Sequence, residues 1–206
     1  MALSITENIK NSFIFAKDGL VGKWTRWLLL IILSVIPIAN FITYGYLTKI
    51  YRGGSKAPEL EDWWKLLVDG VKLFVIGILY MIIPLVLVAA SFVFLSNQEL
   101  IIGGGLGLIG LILTFFCGLI GIAGCIRFAK MDSVKEAFNI PAVLALINEI
   151  GWGHYLVSYL VFLVVCCLIA VIINIVPLVG GILFLIITPL LLIWQGKFYE
   201  NLYSIA

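Results

Sequence analysis

Few residues in this 206-residue sequence have the types and spacing that chemistry requires. Gly105-Leu-Gly107-Leu-Ile-Gly110 fits the dinucleotide-binding pattern G-x-G-x-x-G to the letter. A dinucleotide site also needs a preceding strand and an acidic residue about 20 positions on. Here the glycines open an apolar run, and position 127 is Arg. The four cysteines, Cys117, Cys125, Cys166 and Cys167, show no C-x-x-C spacing and have no histidine beside them, so they read as small buried thiols. His154 is the single histidine. Ser158 lies one helical turn on, but no oxyanion glycine motif accompanies the pair. The sequence thus implies no catalytic residues, no cofactor and no metal site.

Ionisable side chains at bilayer depth would mark ion or proton paths, because each costs about 2.5–3.5 kcal/mol to insert. The long apolar runs carry none in their interiors. Asn40, Asn174, Thr114 and Tyr80 are the conspicuous polar residues there. This argues against a proton-coupled carrier, a voltage sensor or a hydrolytic intramembrane enzyme. Asn40 and Asn174, with Pro37 and Pro177, could form a weakly polar broken-helix site for a neutral or lipidic solute. Helix–helix hydrogen bonding and turn formation are the preferred roles for these four.

These residues need elements to hold them, and composition says which. Hydrophobic residues make up 63% of the chain and charged residues 12%, against roughly 45–50% and 25% in soluble domains. Mean hydropathy is +1.19. A net charge of +2 leaves no basic footprint for nucleic acid. The expected fold is an all-α integral membrane bundle, one domain over residues 1–206, with the lipid bilayer as its first partner. Membrane segments are expected at 24–48, 71–96, 100–127, 155–176 and 178–196. An amphipathic N-terminal segment covers 1–23, its apolar side formed by Ile5, Ile9, Phe13, Ala16 and Leu20.

Interfacial helices are expected at 55–69 and 133–150. In the first, Pro58 suits an opening turn, with Glu59, Glu61 and Asp62 at the positive end of the helix dipole. Trp63 and Trp64 would anchor it at headgroup level. Pro177 joins the last two segments, where Gly180 and Gly181 suggest a tight external turn.

Pro37 leaves the first segment open to two readings. As one kinked span, it puts nine of the thirteen Lys and Arg on the cytoplasmic side and four opposite. As a re-entrant hairpin, it gathers all thirteen on one side. The kinked span is preferred, because half-segments of about 12 residues reach only about 18 Å.

Gly103, Gly107, Gly110, Thr114, Gly118 and Gly121 fall within about 80° on a helix. Such a stripe of small residues lets another helix approach closely, within the chain or in a second copy. The remaining alternative is a lipid- or ligand-filled groove. A weak repeat is also visible: a glycine closing a span with a basic residue, a polar stretch, then a second glycine. Gly45 and Gly70 carry it once, Gly124 and Gly151 again.

The stretch GYLTKIYRGGSKAPELEDWWKLLVDGVKLFVIGILYMIIP resembles the domain of unknown function 4013 family of archaeal multi-pass membrane proteins. The matching residues are Gly45, Tyr46, Gly53, Pro58, Glu59, Asp62, Trp63, Asp69, Gly70, Tyr80 and Pro84. The resemblance implies a multi-pass protein of an archaeal cell membrane and carries no activity. Pro58, Glu59, Asp62, Trp63, Trp64, Asp69 and Gly70 make the most motif-like exposed surface, expected to meet a headgroup or partner. The expected function is non-enzymatic: a structural, assembly or accessory membrane protein, with a homo-oligomer or another membrane protein as partner. A carrier for a neutral or lipidic solute is the alternative.

Overall fold

A computed structural model describes residues 4–175 and 179–204, and the described residues are helical with no strand. The helices are α1 (Ile5–Leu20), α2 (Trp24–Val35), α3 (Asn40–Tyr51), α4 (Trp63–Ser96), α5 (Leu100–Met131), α6 (Val134–Ala137), α7 (Ile140–Ile150), α8 (Trp152–Asn174) and α9 (Val179–Tyr203). Four of them, α4, α5, α8 and α9, are long and apolar enough to cross a membrane. At 1.5 Å per residue, the 34 residues of α4 reach about 51 Å.

The expected span at 24–48 is instead two 12-residue helices. Pro37 is the cause. The residue before a proline is pushed out of the helical region, and Ile36 is extended at φ −88°, ψ 116°. The turn closes through Asn40 N–H to Ile36 O (2.8 Å) and Ile42 N–H to Ala39 O (2.9 Å). The chain then folds back on itself. Arg26, in the first turn of α2, donates to Ala57 O (3.5 Å) and ion-pairs with Glu59, both beyond the end of α3. Tyr46 of α3 donates its hydroxyl to the adjacent Pro58 carbonyl (2.9 Å). On one continuous helix Arg26 and Tyr46 would stand about 30 Å apart. The preferred kinked span is therefore replaced by the hairpin.

The helix expected over 55–69 does not form before Trp63. Tertiary donors have taken the carbonyls that its first turns would need. Ala57 O accepts from Arg26, Pro58 O from Tyr46, and Glu59 O and Glu61 O from Lys49 Nζ (3.4 and 3.1 Å). Asp62 then turns through the left-handed region at φ 57°, and α4 runs from Trp63 directly into its long apolar stretch. Residues 133–150 form two short helices. Asn139 caps the second, accepting from Ala142 N–H, and Pro141 sits in its first turn.

α1 packs along α9 by a face that shares Ala16 and Leu20 with the apolar one read above but is rotated towards Asn8, Ser12 and Gly19. Asn8, Ser12, Ala16, Gly19 and Leu20 are buried, while Phe13 and Ile14 are exposed. Asn8 donates to Phe198 O (3.0 Å), Asn201 donates to Asn8 Oδ1 (2.8 Å), and Trp194 Nε1 donates to Ile9 O (3.1 Å). Small residues allow that close approach, and Phe13 and Ile14 are left on the outside. The core beneath is strongly aromatic. Phe162 stacks on Phe198 (4.5 Å between centroids) and meets Trp194 and Tyr199 edge-on.

The duplication suggested by the glycines is not repeated in three dimensions. Gly45 lies in a 12-residue helix followed by an extended loop, whereas Gly124 lies in a 32-residue helix followed by α6 and α7. Gly180 and Gly181 belong to the first turn of α9, not to an external turn. Pro177 and the Asn174 side chain lie outside the described residues.

Candidate functional site

Of the eleven residues that carry the family resemblance, five are buried, and Gly45, Tyr46, Asp69 and Gly70 among them meet at one crossing. Gly45 and Gly70 touch where α3 crosses α4. A Cβ placed on Gly70 would lie 2.7 Å from Gly45 N and closer still to Phe41 O. One on Gly45 would lie 2.7 Å from Leu66 Cα. No side chain fits such a backbone-to-backbone crossing. Asp69, one residue before Gly70, is 3% exposed. It accepts from Arg52 Nη2 at 2.7 Å, and Arg52 also donates to Ala129 O (3.2 Å) and Asp132 Oδ1 (3.1 Å). A buried carboxylate needs such a partner to remain tolerable in a low-dielectric interior.

Asp69 and Gly70, expected on the exposed surface, are thus part of an internal clamp joining the ends of α3 and α5 to the start of α4. Pro58 is half-buried. Glu59, Asp62, Trp63 and Trp64 do face outward, Trp64 at 76% exposure. The Arg26 guanidinium holds the Glu59 carboxyl below the usual carboxylate range, mainly through its hydrogen bond.

Further ion pairs tie the same end together. Lys197 pairs with Glu200 (2.6 Å), which is 5% exposed and also 3.9 Å from Lys130. Arg127 holds Glu136. The opposite turn between α4 and α5, Asn97–Glu99, carries no Lys or Arg.

The small-residue stripe of α5 serves two purposes. Its first half packs on α4. A Cβ on Gly103 would meet Leu95 at 2.7 Å, on Gly107 Ser91 Oγ at 2.7 Å, and on Gly110 Val88 at 2.8 Å. Ser91 donates to Gly103 O (2.6 Å) and Thr114 to Gly110 O (2.8 Å). Gly118 and Gly121 instead floor an apolar groove of about 510 Å³ between α3, α4 and α5, walled by Tyr44, Tyr51, Phe74, Tyr80 and Met81. Tyr80 reaches across to donate to Ala137 O and stacks on Phe138.

Asn40 is engaged within its own turn, its Oδ1 accepting from Thr43 (2.7 Å). Among the described residues, His154 Nε2 and Ser158 Oγ are buried without a hydrogen-bond partner, and no bond joins the two. The cysteines are free thiols on α5 and α8. Among the described residues no group of three or more His, Cys, Asp or Glu is placed to hold a metal.

The Gly45–Gly70 contact and the Arg52–Asp69 pair escaped the sequence reading. The available signal was a Gly-Tyr and an Asp-Gly flanking one polar loop, but their meeting depends on how the loop between α3 and α4 folds the two helices together. A family model described as "Protein of unknown function (DUF4013)" matches residues 29–178. No curated protein and no solved structure matches the chain.

Proposed function

Because the chain belongs to the DUF4013 family, whose function is unknown, we propose a role that needs no chemistry of its own: a non-enzymatic accessory or assembly protein of a cell membrane, archaeal by its motif resemblance. The observation that carries this reading is how polar side chains inside the bundle are used. Ser91, Tyr80 and Tyr155 all donate to backbone carbonyls of neighbouring helices, Tyr155 to Leu119 O at 2.6 Å. Such bonds fasten helices together, and among the described residues only His154 Nε2 and Ser158 Oγ are left buried without a partner, too few to mark a path for a solute. The basic end is cytoplasmic, by the bias of positive charge. The indole pair Trp63–Trp64 beside Glu59 and Asp62 is the surface offered to a membrane partner or a second copy.

A second reading, a carrier for a lipidic solute, draws support from the groove over Gly118 and Gly121. Purification from native membrane, with mass spectrometry of bound proteins, tests the first. The expected result is a stoichiometric membrane partner, or a homo-oligomer, that is lost in the Trp63→Ala/Trp64→Ala variant. A monomer without partners, combined with lipid or solute flux in proteoliposomes that Gly121→Leu abolishes, would overturn it in favour of the second.

A further inference from the structure

A polar cleft of about 590 Å³ lies between α1, the loop at Ser55–Ala57 and α9. Lys23, Lys56 and Lys197 reach it from three separate elements, with the side-chain amides of Asn11 and Asn201. Asp18 is the one carboxylate on its wall. Among the described residues neither Lys23 nor Lys56 has an ion-pair partner within 4 Å; Lys23 does contribute to lowering Glu59 from a distance. Lys197 is fixed, donating to Gly54 O (3.0 Å) and Glu200, with its amine 5.1 Å from the Phe15 ring centre. The base of the cleft is tight, since a Cβ on Gly19 would lie 2.7 Å from Ala57 Cβ.

The outer edge is apolar. Ile14 lines the cleft, and Phe13 and Ile14 are 40% and 43% exposed on α1. Unpaired amines above an apolar lip match a molecule with an anionic head and a hydrocarbon tail. We propose that this cleft binds the phosphate of an anionic phospholipid, with Lys23, Lys56 and Lys197 around the phosphate and the acyl chains leaving over the exposed Ile14 on its wall. A free phosphate would satisfy the amines but would leave the apolar lip without a role. α1 would then be held in the headgroup layer by a bound lipid as well as by its own apolar side chains.

The test uses the full chain purified in detergent and its thermal stability during titration with dispersed lipid. Phosphatidylglycerol should raise the melting temperature, while phosphatidylcholine and inorganic phosphate should not. Lys56→Gln should raise the half-saturating phosphatidylglycerol concentration about fivefold, and Lys23→Gln/Lys56→Gln about 25-fold, from about 1 kcal/mol per basic residue. Both lysines are exposed, so these variants should melt like the parent without lipid. Lys65→Gln, on the exposed first turn of α4, should respond like the parent. Equal responses to the two lipids, an equal response to free phosphate, or an equal loss in Lys65→Gln would each overturn the assignment.

Discussion

Gly70→Ala tests the crossing on which the rest of the basic end depends. The added methyl would stand 2.7 Å from Gly45 N and nearer still to Phe41 O. Carbon–backbone contacts settle at about 3.3–3.6 Å, so α3 and α4 must separate by roughly 0.7 Å or more. Backbone atoms on a packed helix cannot rotate away as a flexible side chain would. A gap of that size forfeits about a quarter to a half of the dispersion energy across it. If the crossing holds about as many atom contacts as one buried leucine, roughly 6 kcal/mol in all, the loss is at least about 1.5–3 kcal/mol, since clearing Phe41 O requires more room than clearing Gly45 N. That agrees with the usual cost of overpacking, about 1–3 kcal/mol. For a chain of this size it corresponds to a fall of roughly 4–10 °C in Tm. The assay is thermal unfolding in detergent, with Gly77→Ala as the matched control. Gly77 lies on the same helix with nothing within 4 Å of its Cβ position, so alanine there should be neutral or stabilising by up to about 1 kcal/mol. Equal melting temperatures for the two variants would refute the crossing.

Asp69→Asn should cost about 2 kcal/mol in the same assay, because it leaves the Arg52 guanidinium without its buried partner, whereas Asp132→Asn, at a mostly exposed carboxylate, should cost under about 1 kcal/mol. Glu59→Gln tests the sign of an electrostatic contribution. A carboxyl held low in the folded state stabilises above its unfolded value of about 4.3 and ceases to do so as pH falls through the folded value. The parent should therefore melt above Glu59→Gln at pH 7, and the two should converge in acid. Gly107→Leu should destabilise the α4–α5 pair, since even its Cβ would press on Ser91 Oγ, and unchanged detergent stability would count against that packing. On a cysteine-free background, Lys10→Cys and Lys56→Cys should react with an impermeant maleimide from one side of the membrane and Gln98→Cys from the other. Labelling of Lys10→Cys and Lys56→Cys from opposite sides would restore the single span.

Tyr46 shows why part of the site could not be read from the chain. Its hydroxyl caps Pro58 O across 12 positions, and that bond exists because the loop after α3 folds back along the helix. Acidic residues after a proline normally favour a helix start. Here Arg26, Tyr46 and Lys49 claim the carbonyls first, so the helix waits until Trp63. A similar override chose the buried face of α1. Periodicity reports which residues are apolar, but in a membrane both lipid and protein interior are apolar, and small residues pack more closely against a neighbouring helix.

Hydropathy alone was enough to establish an all-helical protein, because backbone polar groups in lipid can be satisfied only within a helix or a closed barrel, but it suggested five membrane segments where the structure has four long apolar helices. The glycine spacing on α5 likewise announced a close helix contact. Which glycines pair, which carboxylate becomes buried and where residues 24–48 break into two helices were decided by tertiary structure. Each depends on side chains distant in sequence meeting at a few ångströms, and local periodicity carries no record of such meetings.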